Sequence, residues 1–330
     1  MSRPRTRTLA VDRDAPDPAV LAEAAAVVRR GGLVAFATET VYGLGADATN
    51  PDAVRAIFTA KGRPSDNPLI VHVADEAMAR RHAAAWPDHA ARLAELWPGP
   101  LTLVLPKAAS ISALVTAGLS TVGLRVPAPA VARGLIAAAD RPLAAPSANR
   151  SEHVSPTTAE HVLADLDGRI DLVLDSGPTD VGIESTVIDV CEQVPRLLRP
   201  GPVSVEQLGA RLGRTIEAAP SHGPARSPGL RPRHYAPRAP TVRVHAPSEL
   251  VPLAVGPDDV VIVIGEHRPA PRVPARLVAL PTPQLAARSL YATLRACDAQ
   301  HATRILVVMP PDEPAWHAVR DRLQRATTPA

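Results

Sequence analysis

The sequence predicts an α/β protein of two domains, a larger one with a buried and mostly mixed sheet and a smaller α/β unit after it. Three observations carry this expectation. Short apolar runs of strand length alternate with amphipathic helical stretches from about residue 17 to residue 212, the pattern of a sheet covered by helices. A proline-rich interval of little periodicity, 214–240, then interrupts the alternation, which resumes over 241–330. The chain has 330 residues and is 46% hydrophobic, enough to fill two cores.

Composition narrows the function. Aromatic residues make up only 2% of the chain, so the cores are built from Ala, Val and Leu, and no stacking platform for single-stranded nucleic acid is evident. A net charge of +3 fits an anionic ligand or occasional weak RNA contact better than a dedicated nucleic-acid binder. Cys191 and Cys297 are the only cysteines and lack metal-ligand spacing, which argues against a disulfide framework and for a reducing, cytoplasmic setting. The Arg-rich start has no apolar segment behind it that would make a secretory signal, and no run is long and apolar enough to cross a bilayer.

In order, 1–16 reads as a polar tail. Asp17-Pro18 caps a helix that Gly31-Gly32 stops, and Leu33–Ala37 is a buried strand leading into Thr38-Glu39-Thr40-Val41-Tyr42-Gly43-Leu44-Gly45, read as a polar loop. Asn50-Pro51 caps a second helix that ends at Lys61-Gly62. Strands are expected at Leu69–Val73, Leu101–Leu105, Val122–Val126, Leu143–Ala145, Asp171–Asp175, Ser185–Val190 and Pro195–Arg199. Helices are expected at Asp75–Ala85, Pro87–Leu96 and Ala128–Ala139, and another starting at Ser155-Pro156 and ending near Leu166. The second unit should hold strands at Thr241–His245, Val260–Ile264, Arg276–Leu280 and Arg304–Met309, with helices at Pro283–Ala296 and Pro314–Arg325.

Two loops carry chemistry. In Lys61-Gly62-Arg63-Pro64-Ser65-Asp66-Asn67-Pro68 two cations flank a glycine, and the prolines fix an extended path. Arginine brings a planar fork of donors suited to phosphate and lysine a point charge, although cations at a helix C-terminus also simply answer its dipole. In Ala145-Pro146-Ser147-Ala148-Asn149-Arg150 a hydroxyl and an amide lie two residues apart. Arg125 interrupts an apolar strand, and a buried guanidinium needs an anion, either from a ligand or from an Asp or Glu of the protein. No Gly-x-Ser-x-Gly elbow, no His-Glu-x-x-His and neither of the common glycine-rich nucleotide loops occurs.

Taken in order, Thr38–Gly45, Lys61-Gly62-Arg63-Pro64 with Asn67-Pro68-Leu69, Ser147-Ala148-Asn149 and Glu184-Ser185-Thr186 resemble the YrdC-like family of threonylcarbamoyl-adenylate synthases. The Ser227-Pro228-Gly229…His234-Tyr235-Ala236-Pro237 stretch and trailing unit resemble its two-domain branch. The resemblance implies a YrdC-like twisted mixed sheet with helices around a basic cavity (17–213), a linker (214–240) and a smaller Rossmann-like domain (241–330). It also implies nucleotidyl transfer: L-threonine, bicarbonate and ATP give threonylcarbamoyl-AMP and pyrophosphate, for tRNA threonylcarbamoyltransferase machinery downstream. Lys61 and Arg63 would be catalytic, and Lys61, Arg63, Asn67, Thr121, Ser147, Asn149, Ser155, Arg199 and Tyr235 would contact ATP. Thr40, His72, Arg125, Ala145 and Ser185 would surround threonine. Magnesium would be held mainly by the ATP phosphates, with no metal-ligating residues of the protein. Ala37 departs from the family, which usually has proline there. A non-catalytic RNA-binding module with a basic cavity is the alternative.

Overall fold

The computed structural model describes residues 5–218, 234–267 and 273–330. These divide into two compact units. The first takes the chain up to Ser151, Pro156–Asp180 and the described residues from Glu184 to 218, and the second takes Glu152–Ser155, Val181–Ile183 and the described residues from His234 onward.

In the first unit the strands are β1 (Arg7–Ala10), β2 (Val34–Ala37), β3 (Tyr42–Asp47), β4 (Ile70–His72), β5 (Leu101–Pro106), β6 (Thr121–Arg125), β7 (Leu143–Ala144), β8 (Leu172–Asp175), β9 (Thr186–Asp189), β10 (Arg196–Arg199) and β11 (Glu217–Ala218). Its helices are α1 (Pro18–Arg29), α2 (Pro51–Lys61), α3 (Glu76–His82), α4 (Asp88–Ala94), α5 (Ala130–Ala139), α6 (Ala159–Leu166) and α7 (Val205–Leu212). The strands form one sheet in the order β1-β8-β2-β3-β7-β4-β6-β5-β9-β10-β11. Parallel pairs such as β4/β6 occur beside antiparallel pairs such as β5/β6, so the sheet is mixed as expected.

The helix ends follow from capping chemistry. The Asp17 side chain accepts from Ala19 N at the start of α1, and Asn50 accepts from Asp52 N and Ala53 N at the start of α2. Gly62 ends α2 in the left-handed region at φ 61°, its N–H turned back to the last carbonyls of the helix. Helix α1 lies close to α5 because Gly134 has no side chain: a Cβ there would come within 2.6 Å of Leu21 Cδ1.

The sequence reading included neither α7 nor β11, which lies in the expected linker, and three further stretches differ from it. The polar tail contains β1, which pairs in parallel with β8, and Thr6 Oγ1 donates to Ile170 O at 2.9 Å; β-branched threonines on an exposed edge form a strand without an apolar pattern. The loop after β2 is only Thr38–Val41, and Tyr42–Asp47 returns as a strand antiparallel to β2. Its glycines are a packing feature, since a Cβ on Gly45 would lie 2.7 Å from Phe36 Cε1. Helix α6 begins three residues later than expected: Thr158 caps it by accepting from His161 N, while Pro156 O is already taken by Tyr42 N at 2.9 Å.

The second unit has β12 (Thr241–Val244), β13 (Val260–Ile264), β14 (Arg276–Leu280), β15 (Ile305–Val308) and β16 (Thr328–Pro329), with α8 (Pro283–Ala299) and α9 (His317–Ala326). Its sheet has the order β14-β13-β15-β12-β16 and every pairing is parallel. Strands buried on both faces read as unbroken apolar runs, as Val260–Ile264 does. Of the expected linker, 219–233 lies outside the described residues, and with it Ser227–Arg233.

Candidate functional site

The site grows out of side-chain alternation in β4, β6 and β5. Val71, Val122, Leu124, Leu103 and Leu105 point into the main core. By the period of two, Ile70, His72, Thr121, Gly123, Arg125, Thr102 and Val104 share the other face. Register sets neighbours there: Ile70 pairs with Gly123, His72 with Arg125, and Val104 with Gly123. A small cleft lies on this face and is lined by Ile70, Thr102, Thr116, Thr121 and Gly123 among others. Gly123 keeps it open, because a Cβ would stand 3.1 Å from Thr102 Cγ2.

At one end of the face lies Arg125, only 3% exposed. Its Nη2 is 2.9 Å from Glu39 Oε1 and donates to Thr40 Oγ1 at 3.0 Å, while Nε donates to Gly99 O at 3.3 Å. The anion expected for this guanidinium is therefore supplied by the protein. The second Glu39 oxygen accepts from Ala128 N at 3.1 Å. Thr38 Oγ1 ties the loop together, 2.8 Å from Thr40 Oγ1 and donating to Val41 O at 2.7 Å. His72 is buried edge-on to Phe36 and its Nδ1 has no hydrogen-bond partner. Burial, and then the charge of Arg125, hold its pKa well below the ordinary imidazole value. Ala145 N donates to Ile70 O at 2.9 Å, which sets Ala145 beside β4.

Next to this end, Ser185 Oγ is 2.8 Å from Thr102 Oγ1, and Arg199 donates to Ser185 O through Nε and Nη2 at 3.1 and 2.9 Å and to Ser185 Oγ at 3.1 Å. Gly201 permits this clasp, since a Cβ would fall 2.3 Å from Thr186 N.

The basic loop closes around itself and the Ser147 loop. Lys61 is 2% exposed, and its Nζ donates to the carbonyls of Ser147 and Asn149. Arg63 Nη2 donates to Asn67 O at 3.3 Å and Pro68 O at 3.1 Å. The Ser147 loop is pinned to β3 by Ala148 N donating to Tyr42 O at 2.8 Å and by the bridge between Gly43 and Ser147. Lys61 thus joins Ser147 and Asn149, and Arg63 joins Asn67. The other two ATP positions of the sequence reading, Ser155 and Tyr235, belong to the second unit. There Arg295 donates to Val154 O at 2.5 Å and to Ser155 O at 3.4 Å. Tyr235, buried at φ 61°, stacks on Tyr291 with ring centroids 5.5 Å apart.

The motifs name Glu39 but gave it no role, and Thr102 was read only as part of a strand. A carboxylate two residues after the end of β2 was the available signal for the first. Thr102, a lone hydroxyl in Leu-Thr-Leu-Val-Leu, was the signal for the second.

Comparison with known proteins now decides the family. A family model described as "Telomere recombination", for Sua5, YciO and YrdC, matches residues 26–201, and one described as "Threonylcarbamoyl-AMP synthase, C-terminal domain" matches 203–328. The chain belongs to the Sua5/YciO/YrdC family. It is 48% identical over 233 residues to the threonylcarbamoyl-AMP synthase of Pyrococcus abyssi, covering 69% of this chain and 68% of that one. To the Bacillus subtilis protein of the same name it is 50% identical over 229 residues, 68% of this chain and 66% of its relative. A crystal structure of P. abyssi Sua5 complexed with L-threonine superposes with a TM-score of 0.88 at 38% identity, covering 98% of both chains. The Sua5-type two-domain architecture and mixed α/β fold are therefore those of this chain.

Proposed function

We propose that this chain is an L-threonylcarbamoyladenylate synthase, a nucleotidyltransferase that condenses L-threonine, bicarbonate and ATP to threonylcarbamoyl-AMP and pyrophosphate. The observation that carries the reading is the sheet face with Arg125, Thr40, His72 and Ser185 at one end, in a chain that superposes on a Sua5 holding L-threonine. Thr121 and Arg125 are the two ends of β6, about 13 Å apart at the rise of a strand. That separation suits an amino-acid end at Arg125 and a nucleotide end at Thr121, where Pro68 and Leu69 bring in the chain from the Lys61/Arg63 loop.

In this reading Arg125 takes the threonine carboxylate, with Thr40, His72, Ala145 and Ser185 around the rest of the amino acid. Lys61, Arg63, Asn67, Thr121, Ser147, Asn149 and Arg199 serve the nucleotide, and the family resemblance adds Ser155 and Tyr235. Bicarbonate, on taking up a proton, loses water to give carbon dioxide. The unprotonated threonine amine attacks its carbon, one C=O π pair moves onto oxygen, and the proton released from nitrogen goes to solvent, leaving a carbamate. A carbamate oxygen then attacks the α-phosphorus, the bond to the β-phosphate bridging oxygen breaks, and pyrophosphate leaves with that electron pair. The protein contributes no nucleophile. It fixes the reactants in line and sets Lys61 and Arg63 against the charge that grows on the phosphates, donors already oriented by carbonyls before the reaction begins.

Magnesium would come on the triphosphate, whose charge it would neutralise. Among the described residues no three His, Cys, Asp or Glu side chains cluster as a metal site. The product would pass to a tRNA threonylcarbamoyltransferase in the cytoplasm; among the described residues no helix is long and apolar enough to cross a membrane. The reading is tested by pyrophosphate release from ATP and bicarbonate with and without L-threonine. Threonine-dependent release supports it, and release at the same rate without amino acid overturns it.

A further inference from the structure

Glu39 is a buried carboxylate, 6% exposed, that the proposed reaction does not use. Its Oε1 lies 2.9 Å from Arg125 Nη2 without hydrogen-bond alignment, and Oε2 is occupied by Ala128 N. The fork of Arg125 is thereby divided. Nε and Nη2 are committed to Gly99, Thr40 and Glu39, and Nη1 has no partner among the described residues. Glu39 is also the only charged group among the described partners of that guanidinium. The neighbouring His72 is held neutral by burial and by Arg125 itself.

A bare guanidinium in a dry pocket would take any small anion. This one stands about one strand length from the end proposed for a triphosphate, so phosphate, pyrophosphate and bicarbonate would all compete for it. We infer that Glu39 makes the amino-acid pocket select a zwitterion, cancelling the charge of Arg125 so that a carboxylate is taken up only when an ammonium group comes with it. The inference rests on the reading of Arg125 as the seat of the amino-acid carboxylate. Glu39 acts as a specificity-determining residue through Arg125, and Ala128 N holds its carboxylate in place.

The test compares L-threonine with its α-hydroxy acid analogue, in which a hydroxyl replaces the amine, by calorimetry on the full chain. The wild-type chain should bind the hydroxy acid at least about tenfold more weakly than threonine, and Glu39→Gln should shift that ratio about tenfold toward the hydroxy acid. Glu39→Asp, which keeps the charge, should preserve the wild-type preference. A general loss of stability lowers both affinities and leaves the ratio unmoved, so the ratio separates selection from scaffolding. Equal binding of the two ligands by the wild-type chain overturns the inference without any variant, as does an unmoved ratio in Glu39→Gln. A wild-type chain that binds neither ligand removes the carboxylate reading of Arg125 and this inference with it.

Discussion

The two sheets bury their central strands equally well but use the burial differently. In the second unit β13 and β15 are Val-Val-Ile-Val-Ile and Ile-Leu-Val-Val, apolar on both faces and buried throughout. In the first, β4, β5 and β6 are wholly apolar on one face, and on the other His72, Thr102, Thr121 and Arg125 are interspersed with Ile70, Val104 and a glycine. Buried polar groups are costly unless partnered. Strands that keep such groups on one face give up packing for something else, and here Thr102, Thr121 and Gly123 line a cleft. The β13/β15 sheet has no such concession and reads as scaffold.

That contrast can be broken or sharpened by substitution. The largest effect on turnover is expected from the basic loop: Lys61→Ala or Arg63→Ala should lower pyrophosphate release on the order of a hundredfold, as for the loss of one preoriented donor. Steady-state kinetics with a thermal melt checks this, and folded variants with near-native turnover would return both residues to duty at a helix end. Thr102→Val removes one of the two partners of the Ser185 hydroxyl within an almost unchanged shape. It should raise KM for threonine about three- to tenfold, the range of one lost hydrogen bond, with little change in kcat. In the scaffold sheet, Ile262→Ala should leave turnover per folded molecule near the wild-type value while reducing stability by about 2–5 kcal/mol in denaturant titration. A large loss of turnover at preserved stability would erase the distinction between the two sheets.

The smallest effect expected is a pH dependence. Because the folded pKa of His72 is depressed, the unfolded chain binds more protons between that value and the ordinary one near 6.5. Stability from this group is therefore full above about pH 6.5 and falls as the solution is acidified below it. His72→Gln should flatten that slope in denaturation curves taken across the range, and an equally steep slope in the variant would place its origin elsewhere.

Much of this was legible in the residues. Alternation and caps located the main helices and strands, because Asp17, Asn50 and Gly62 act through local hydrogen bonds that the sequence states directly. Arg125 announced itself as a charge in an apolar strand, but its partner did not: Glu39 reaches it across the fold, and neither reading of the residues could choose between a protein anion and a ligand. The strand Tyr42–Asp47 was hidden by its glycines, and the reason for Gly45 is the ring of Phe36 on the neighbouring strand. The Ser185 hub was invisible for the same kind of reason, since Thr102 and Arg199 meet Ser185 only after β5, β9 and β10 align side by side.

On the proposed function, the polar face of the first sheet joins threonine, bicarbonate and ATP rather than merely binding an anion. Incubating the full chain with ATP, L-threonine and isotope-labelled bicarbonate, and weighing the nucleotide product by mass spectrometry, tests it most directly. The account predicts an AMP adduct that carries both threonine and the labelled carbon and forms only when all three substrates are present. Turnover of ATP to unadorned AMP or ADP, indifferent to threonine and label, would contradict it.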